Sequence, residues 1–387
     1  MLSCMAACAA NTSKSTASKS SKEFSTNISE EKPLSTTVGV KEDTQYGSVI
    51  FRIKVDEFNG LGFKLGDSCD IVFSNGYKLD SVPYYNGYYT YTGDPVIVSY
   101  PGNEYVLLAF SNGDLMWETA GCKEGDTVTV TLREQGAYQF IQESMSMVYS
   151  PDRNDYDSDE MFANYRVMKG GNLAKNKFFR GASPVDNQNN RAAYSDALLK
   201  KDGIRFILDL ADTEEKIQGY LNKDDFKSDY SAGLLKEGLL KPLGLNASYR
   251  SEVFMKKLAD GLRTMMHQEG PYYIHCVEGK DRTGFVCLLM EALCGATYDE
   301  LRTDYMTTYA NYYRLTQESD SEKYNAVLHL RMDDMLIGLP GVEEESFTGS
   351  EVFTENAKAY LEKAGMTKAE IDNLIQYLTT GEAVKED

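Results

Sequence analysis

Residues 270–285 read Gly270-Pro271-Tyr272-Tyr273-Ile274-His275-Cys276-Val277-Glu278-Gly279-Lys280-Asp281-Arg282-Thr283-Gly284-Phe285, and the apolar run that follows reaches Leu293 before Gly295. Gly270-Pro271 punctuates the chain, Tyr272 to Ile274 suits a short buried strand, and Phe285 to Leu293 suits a helix that Gly295 stops. The cysteine therefore sits in a strand-to-helix loop. Such a loop leaves backbone N–H groups unpaired at the positive end of a helix, a seat for phosphate or sulfate. Gly279 and Gly284 allow the chain to fold tightly around an anion.

Five residues separate Cys276 from Arg282. That spacing lets a thiolate sit below the anion while a guanidinium curls over two of its oxygens. The N–H groups of Val277, Glu278, Gly279, Lys280, Asp281 and Arg282 are the candidate phosphate cradle. The same dipoles and the Arg282 charge favour the thiolate. The chemistry predicted is attack of Cys276 on phosphorus, stabilisation of the equatorial oxygens by the loop and Arg282, and hydrolysis of a phosphocysteine, with Thr283 hydrogen-bonded to the departing sulfur. For the acid that protonates the leaving oxygen, Asp281, Asp209 and Asp212 are all candidates. His275 is expected to position the loop, and Asp209 to support it. No metal and no cofactor is called for.

The run resembles the signature loop of the cysteine-dependent protein tyrosine phosphatase superfamily: His-Cys, five residues, Arg, then Ser or Thr. Gly279-Lys280-Asp281-Arg282-Thr283-Gly284 is similar to the bacterial branch that hydrolyses phosphotyrosine and phosphoinositides, the triple-specificity phosphatases. Softer likenesses flank it. Phe162-Ala163-Asn164-Tyr165-Arg166 resembles the branch's opening element, Phe179-Arg180-Gly181-Ala182-Ser183-Pro184 its Tyr-Arg-Ser segment, Gly203 to Leu210 its Asp-Leu-Arg strand, and Asp304-Tyr305-Met306-Thr307-Thr308 its post-loop helix. The resemblance implies a functional Lys280-Asp281 pair, with Asp281 as acid and Lys280 facing a phosphate or an inositol ring. Two departures concern substrate preference: Glu278 stands where a small residue is common, and Ala211 follows Asp209-Leu210 in place of Arg.

The fold expected is an α/β phosphatase domain, residues 161–382, with a mostly parallel sheet flanked by helices and the ligand at the strand carboxyl ends. In front of it, residues 45–135 change character. Val49 to Val55, Cys69 to Ser74, Val96 to Tyr100, Tyr105 to Phe110 and Thr127 to Leu132 are short β-rich runs separated by Gly, Asn and Asp, which predicts an all-β barrel or sandwich. Gly66-Asp67-Ser68-Cys69-Asp70-Ile71-Val72 and Gly125-Asp126-Thr127-Val128-Thr129-Val130 read as two copies of one turn-and-strand unit. The stretch resembles, more weakly, the β-barrel domain of adenosyl-hydroxide transferases, without that enzyme's catalytic half. Tyr84, Tyr85, Tyr88, Tyr89 and Tyr91 suit cross-strand packing better than a ligand platform.

Residues 1–44 are rich in Ser, Thr, Lys and Glu and read as a disordered leader; 136–160 read as a linker. Met5-Ala6-Ala7-Cys8 resembles the end of a lipoprotein signal, which implies export and a membrane tether through a lipidated Cys8; the charged and apolar regions of a signal are missing, and a cytoplasmic location is the alternative. The protein is expected to act as a monomer. Its partners are phosphorylated protein or phosphoinositide substrates.

With 59 acidic against 40 basic residues the formal charge is −19, which disfavours nonspecific binding of nucleic acid. The loop's field must dominate at close range, the rest being screened beyond a Debye length of about 8 Å. Seven cysteines, at 4, 8, 69, 122, 276, 287 and 294, include no pair at zinc-site spacing. Asp155, Asp157, Asp159 and Glu160 begin like a calcium loop, yet Glu160 stands where Gly is needed and Arg166 where Glu is needed. Three histidines supply serine-hydrolase schemes poorly. A phosphate-binding module without turnover, an inositol polyphosphate phosphatase and a sulfur transferase are the competing readings; Arg282-Thr283-Gly284 speaks against the last.

Overall fold

Val49, Phe51 and Ile53 point inward while Arg52 and Lys54 face solvent, the period of two that one buried strand face imposes. In a computed structural model, which describes residues 33–339 and 350–385, seven such strands close into a barrel. They are β1 (Ser35–Glu42), β2 (Val49–Lys54), β3 (Ser68–Phe73), β4 (Lys78–Tyr85), β5 (Pro95–Val98), β6 (Tyr105–Phe110) and β7 (Thr127–Glu134). Their order around the barrel is β1-β2-β6-β5-β4-β3-β7. Only the β4–β5 pair is parallel. Phe51, Phe58, Phe63, Ile71, Leu108, Val128 and Val130 fill the interior, and closure leaves no unpaired edge.

The two turn-and-strand copies are real and paired. The amides of Lys64 and Lys123 each donate to the side chain three residues on, Asp67 and Asp126, at 2.8 Å, and Gly66 and Gly125 take φ of 92° and 93°. The strands that follow, β3 and β7, lie side by side.

Two boundaries move. Residues 35–42, read as the end of the leader, form β1, because pairing with β7 gives Val38 and Val40 a barrel interior that the leader's composition did not announce. The expected linker is ordered in part: Gln139–Met145 is a helix whose Gln142 exchanges hydrogen bonds with Asn86 at 2.8 and 3.1 Å. Of the tyrosine cluster, Tyr84 and Tyr85 are buried in β4. Tyr88 and Tyr89 lie beyond it. Cys69 and Cys122 are separate buried thiols, which burial pushes up to about 12 and about 11.

The second sheet holds β8 (Arg166–Val167), β9 (Phe178–Gly181), β10 (Phe206–Asp209), β11 (Leu240–Pro242) and β12 (Tyr272–His275), in the order β11-β10-β12-β9-β8. Every neighbouring pair is parallel except β8–β9. Both faces are covered, as a parallel sheet requires. Phe206, Leu208, Tyr272 and Ile274 join the core beneath the helices Glu252–Met266 and Asp281–Leu293, while Ile207 and Tyr273 enter a second core with Leu198, Ile204 and Leu234. Ser251 caps the first of those helices through the Phe254 amide at 3.2 Å. The C-terminal helices Ser350–Lys363 and Lys368–Thr380 are separated at Gly365-Met366, with Thr367 and Glu370 forming a capping box for the second.

The described residues from Leu34 onward form one compact unit. Thr92 of the barrel donates through its amide and hydroxyl to the two oxygens of Asp334, both at 2.8 Å, and the helix Gln139–Met145 packs against Ser321–Val327. Among the described residues no helix is long and apolar enough to cross a membrane. Cys8 and the small residues before it lie outside the described residues.

Candidate active site

β12 ends at His275 and the next helix begins at Asp281, so residues 276–280 must turn the chain within five positions. The scaffold takes hold of their carbonyls. That of Cys276 accepts from His275 Nδ1 (3.1 Å), that of Val277 from the Ser183 amide (3.0 Å), and that of Glu278 from the Tyr312 hydroxyl (2.6 Å). The Gly279 carbonyl accepts from Asn164 Nδ2 and Arg180 Nη2, both at 3.1 Å, and that of Lys280 from the Gly284 amide at 2.7 Å. With every carbonyl turned outward, the amides turn inward. Among the described residues none of the amides of Val277 to Arg282 has a protein acceptor. Loop amides without a protein acceptor turn to solvent or to a ligand, and a concave row of them is an anion seat.

Gly279 makes the turn possible. It takes φ of 66°, and a Cβ there would stand 2.2 Å from the Gly181 carbonyl oxygen, a contact no side chain tolerates. Gly279→Ala should therefore displace the loop and lower phosphate-analogue affinity by at least about tenfold, a loss of roughly 1.4 kcal/mol or more. Vanadate inhibition measured on the purified variant checks it; unchanged inhibition would count against the loop as the seat.

Behind the loop lies a buried ionic triad. Asp304 accepts from Arg166 Nε at 2.8 Å and from Arg180 Nη1, and Arg180 is fully buried. Burial alone would raise the Asp304 carboxyl, but the two guanidiniums outweigh it and hold it below its ordinary value. Three separate stretches thus converge: Asn164 and Arg166 from the first, Arg180 from the second, Asp304 and Thr308 from the third, with Asn164 Nδ2 reaching Thr308 Oγ1 at 3.1 Å.

Cys276 is 3% exposed at the end of β12. Beneath it His275 is buried, and burial drives its imidazole down to about 4, so it is neutral near pH 7. Asp209 stands 3.9 Å from its Nδ1 and accepts from the amides of Ala211 (2.8 Å) and Asp212 (3.1 Å). Burial pushes the carboxyls of both Asp209 and Asp212 up to about 6. Arg282 Nη1 donates to the Leu245 carbonyl at 2.9 Å, and Thr283 Oγ1 is buried with no partner among the described residues.

Lys280 Nζ chelates both Asp281 oxygens, at 3.0 and 2.9 Å. Burial works against the Asp281 charge, but Lys280, Arg331 and Arg282 prevail and hold the carboxyl below its usual range. This departs from what a resting proton donor needs. Glu278 is turned aside, its Oε1 accepting from the Tyr149 hydroxyl at 2.7 Å, with Lys280 Nζ 4.0 Å from its other oxygen. Tyr149 belongs to the expected linker and is anchored in turn by Arg191, whose guanidinium lies 4.5 Å from its ring and 4.7 Å from that of Tyr312.

The candidates of the signature run, His275 to Thr283, are thus gathered around one seat, with Asp209 below it. Tyr149, Tyr312 and Arg331 were not singled out in advance. They come from distant stretches with no motif, so only the folded chain brings them here. A cleft of about 1360 Å³ lies elsewhere, between barrel residues such as Tyr46, Tyr100 and Leu115 and the segment containing Asn246, Ser248 and Arg250. Asn246, which lines it, follows Leu245, whose carbonyl accepts from Arg282.

Comparison with known proteins gives a family for this geometry. No curated protein matches the chain. Among solved structures, an uncharacterized conserved protein from Thermotoga maritima is 18% identical over 24% of this chain and 35% of its own length, TM-score 0.22, so the chain spans about a third of that relative. The core catalytic domain of the PP-IP phosphatase SIW14 from S. cerevisiae, in complex with citrate, is 15% identical over 46% of this chain and 91% of that one, TM-score 0.26. P. aeruginosa TpbA is 16% identical over 54% and 90%, TM-score 0.21. The model of the tyrosine phosphatase family matches residues 162–380, more than half of the 387. The matched span begins beside Asn164, takes in Arg180, the loop and Asp304, and ends in the last helix: the chain belongs to the tyrosine phosphatase family.

Proposed function

We propose that this protein removes phosphate from phosphotyrosine, phosphoinositides or both, through a phosphocysteine on Cys276. The observation that carries the reading is the row of amides from Val277 to Arg282 that have no protein acceptor among the described residues, while the scaffold binds every carbonyl from Cys276 to Lys280. In the first step the Cys276 thiolate forms a bond to phosphorus as the phosphorus–oxygen bond to the leaving alcohol or phenol breaks. Loop amides and the Arg282 guanidinium hold the equatorial oxygens through both steps. In the second, water attacks phosphorus and the sulfur leaves, Thr283 Oγ1 donating a hydrogen bond to it. His275, neutral, holds the Cys276 carbonyl and takes no proton.

We assign the leaving-group proton to Asp281, charged by Lys280 at rest and raised when the phosphate dianion arrives beside it and competes for Lys280. Asp212 is the second reading, favoured by one observation: its carboxyl already stands at about 6 and one of its oxygens has no partner among the described residues. Removing the true donor slows esters with poor leaving groups far more than p-nitrophenyl phosphate. With Asp281 as donor, Asp281→Asn produces that selective loss, on the order of 10²-fold, and Asp212→Asn does not. With Asp212 as donor the pattern reverses, and native kcat/KM declines as pH rises past about 6, a limb that Asp212→Asn abolishes. The substrate class is read from phosphate release in the presence of chelator, comparing a phosphotyrosine peptide with phosphoinositide vesicles. Binding of phosphate ligands without release from either would return the protein to a binding module.

A further inference from the structure

Arg331 lies outside every stretch that the signature and its flanks explain. It sits on residues 328–333, where the helix widens to π geometry, a local distortion that re-aims side chains and is frequent at functional sites. Its guanidinium lies 5.6 Å over the Tyr89 ring, and Nη1 is 3.5 Å from the Tyr88 carbonyl. Both belong to the barrel's tyrosine cluster. Among the described residues its buried Nε has no partner, and no carboxylate comes within 4.0 Å of the guanidinium. Asp281 does not serve, since Lys280 chelates it at 2.9 Å and 3.0 Å. Residues 328–333 pack against the helix Tyr298–Tyr313, whose Tyr312 holds the Glu278 carbonyl and whose Tyr305 ring lies against Gly284, so Arg331 stands on an element that also braces the loop. The charges of Arg331 and Lys280 both act on Tyr89. A partly buried guanidinium gains most from an anion in direct contact; Asp281 acts on this one only through space, and among the described residues no carboxylate touches it.

We propose that Arg331, together with Lys280, binds a second phosphate of the substrate next to the one cradled by the loop, and that the Tyr88-Tyr89 turn of the barrel fixes the guanidinium for it. The substrate class is then a polyol ring carrying neighbouring phosphates, as a lipid headgroup or as the free compound; a lone phosphotyrosine leaves this place empty. The inference rests on the phosphatase reading for the first phosphate and gives the barrel a part in substrate choice. It also accounts for polyanion binding by a chain of charge −19, because recognition falls to close, forked contacts.

The test uses full-length Cys276→Ser protein, which cannot turn over, with and without Arg331→Met. Calorimetry with myo-inositol monophosphate and with a vicinal myo-inositol bisphosphate gives the affinity gained from the second phosphate. About tenfold or more is expected with Arg331 present, less than about threefold with Met, and an intermediate gain with Arg331→Lys, which keeps the charge and loses the fork. A gain that is absent with Arg331 present, or unchanged in Arg331→Met, overturns the proposal. Should Arg331→Met fail to fold, the Lys variant and the unsubstituted comparison decide in the same way. A parallel arm uses vesicles bearing a bisphosphorylated phosphoinositide: Arg331 dependence only there points to the lipid, dependence in both points to the headgroup alone, and dependence in neither overturns the proposal. Failure of the phosphatase reading shows separately, as no phosphate release by the native chain while the second-phosphate gain persists.

Discussion

Cys276→Ser lowers phosphate release by at least about 10³-fold, the scale on which loss of a nucleophile costs other hydrolases, while the loop still binds oxyanions. The asymmetry follows from the construction of the seat. Its donors are backbone amides whose directions are fixed by carbonyl partners, Ser183, Tyr312, Asn164 and Arg180 among them, and none of those bonds involves the sulfur. Serine presents a hydroxyl with a far higher pKa than a thiol, so the loop dipoles that favour a thiolate do not produce an alkoxide. Phosphate release and tungstate affinity, measured on the same preparation, check both halves. Residual turnover above about one per cent of native would move the nucleophile elsewhere.

Asp304→Ala destabilises the fold by about 3–5 kcal/mol, because it leaves two guanidiniums without their counter-charge. Arg180 is fully buried and Arg166 nearly so, and both bind Asp304. Breaking the exposed pair of Arg52 and Glu124 in the same way moves the denaturation midpoint little. The loss also reaches the chemistry, since Arg180 Nη2 holds the Gly279 carbonyl and Arg166 Nη1 holds Asn164 Oδ1 at 2.7 Å. Oxyanion affinity should therefore fall along with the urea midpoint in Asp304→Ala. A stable variant with intact affinity would show that the triad is not what orders the loop.

The signature run was legible because its determinants are local. One strand, one turn with glycine at a positive φ and one helix terminus sit within two dozen residues, and residue types alone imply inward amides. The flanking stretches containing Asn164, Arg180 and Asp304 were legible as similar segments, but their joint task as an ionic support under the loop was not, since it depends on pairings between residues 99 and 124 positions apart. The barrel's five β-rich runs declared themselves by composition. β1 and β4 did not: β1 opens with Ser35-Thr36-Thr37, which reads like the leader, and β4 carries Ser81 at φ 58° and Pro83, both turn-like in isolation. Their pairing is supplied by neighbours. Asp281 shows the opposite limit, where position was readable and protonation was not, because Lys280 and Arg331 set its charge through space.

The central claim is that Cys276 carries the phosphoryl group between two half-reactions. Acid quench during turnover of an aryl phosphate, followed by mass measurement of the peptides, tests it most directly. The account predicts one phosphoryl group on the peptide containing Cys276, lost in Cys276→Ser. Native turnover with no phosphopeptide at any quench time, or with the phosphoryl group on another residue, would contradict it.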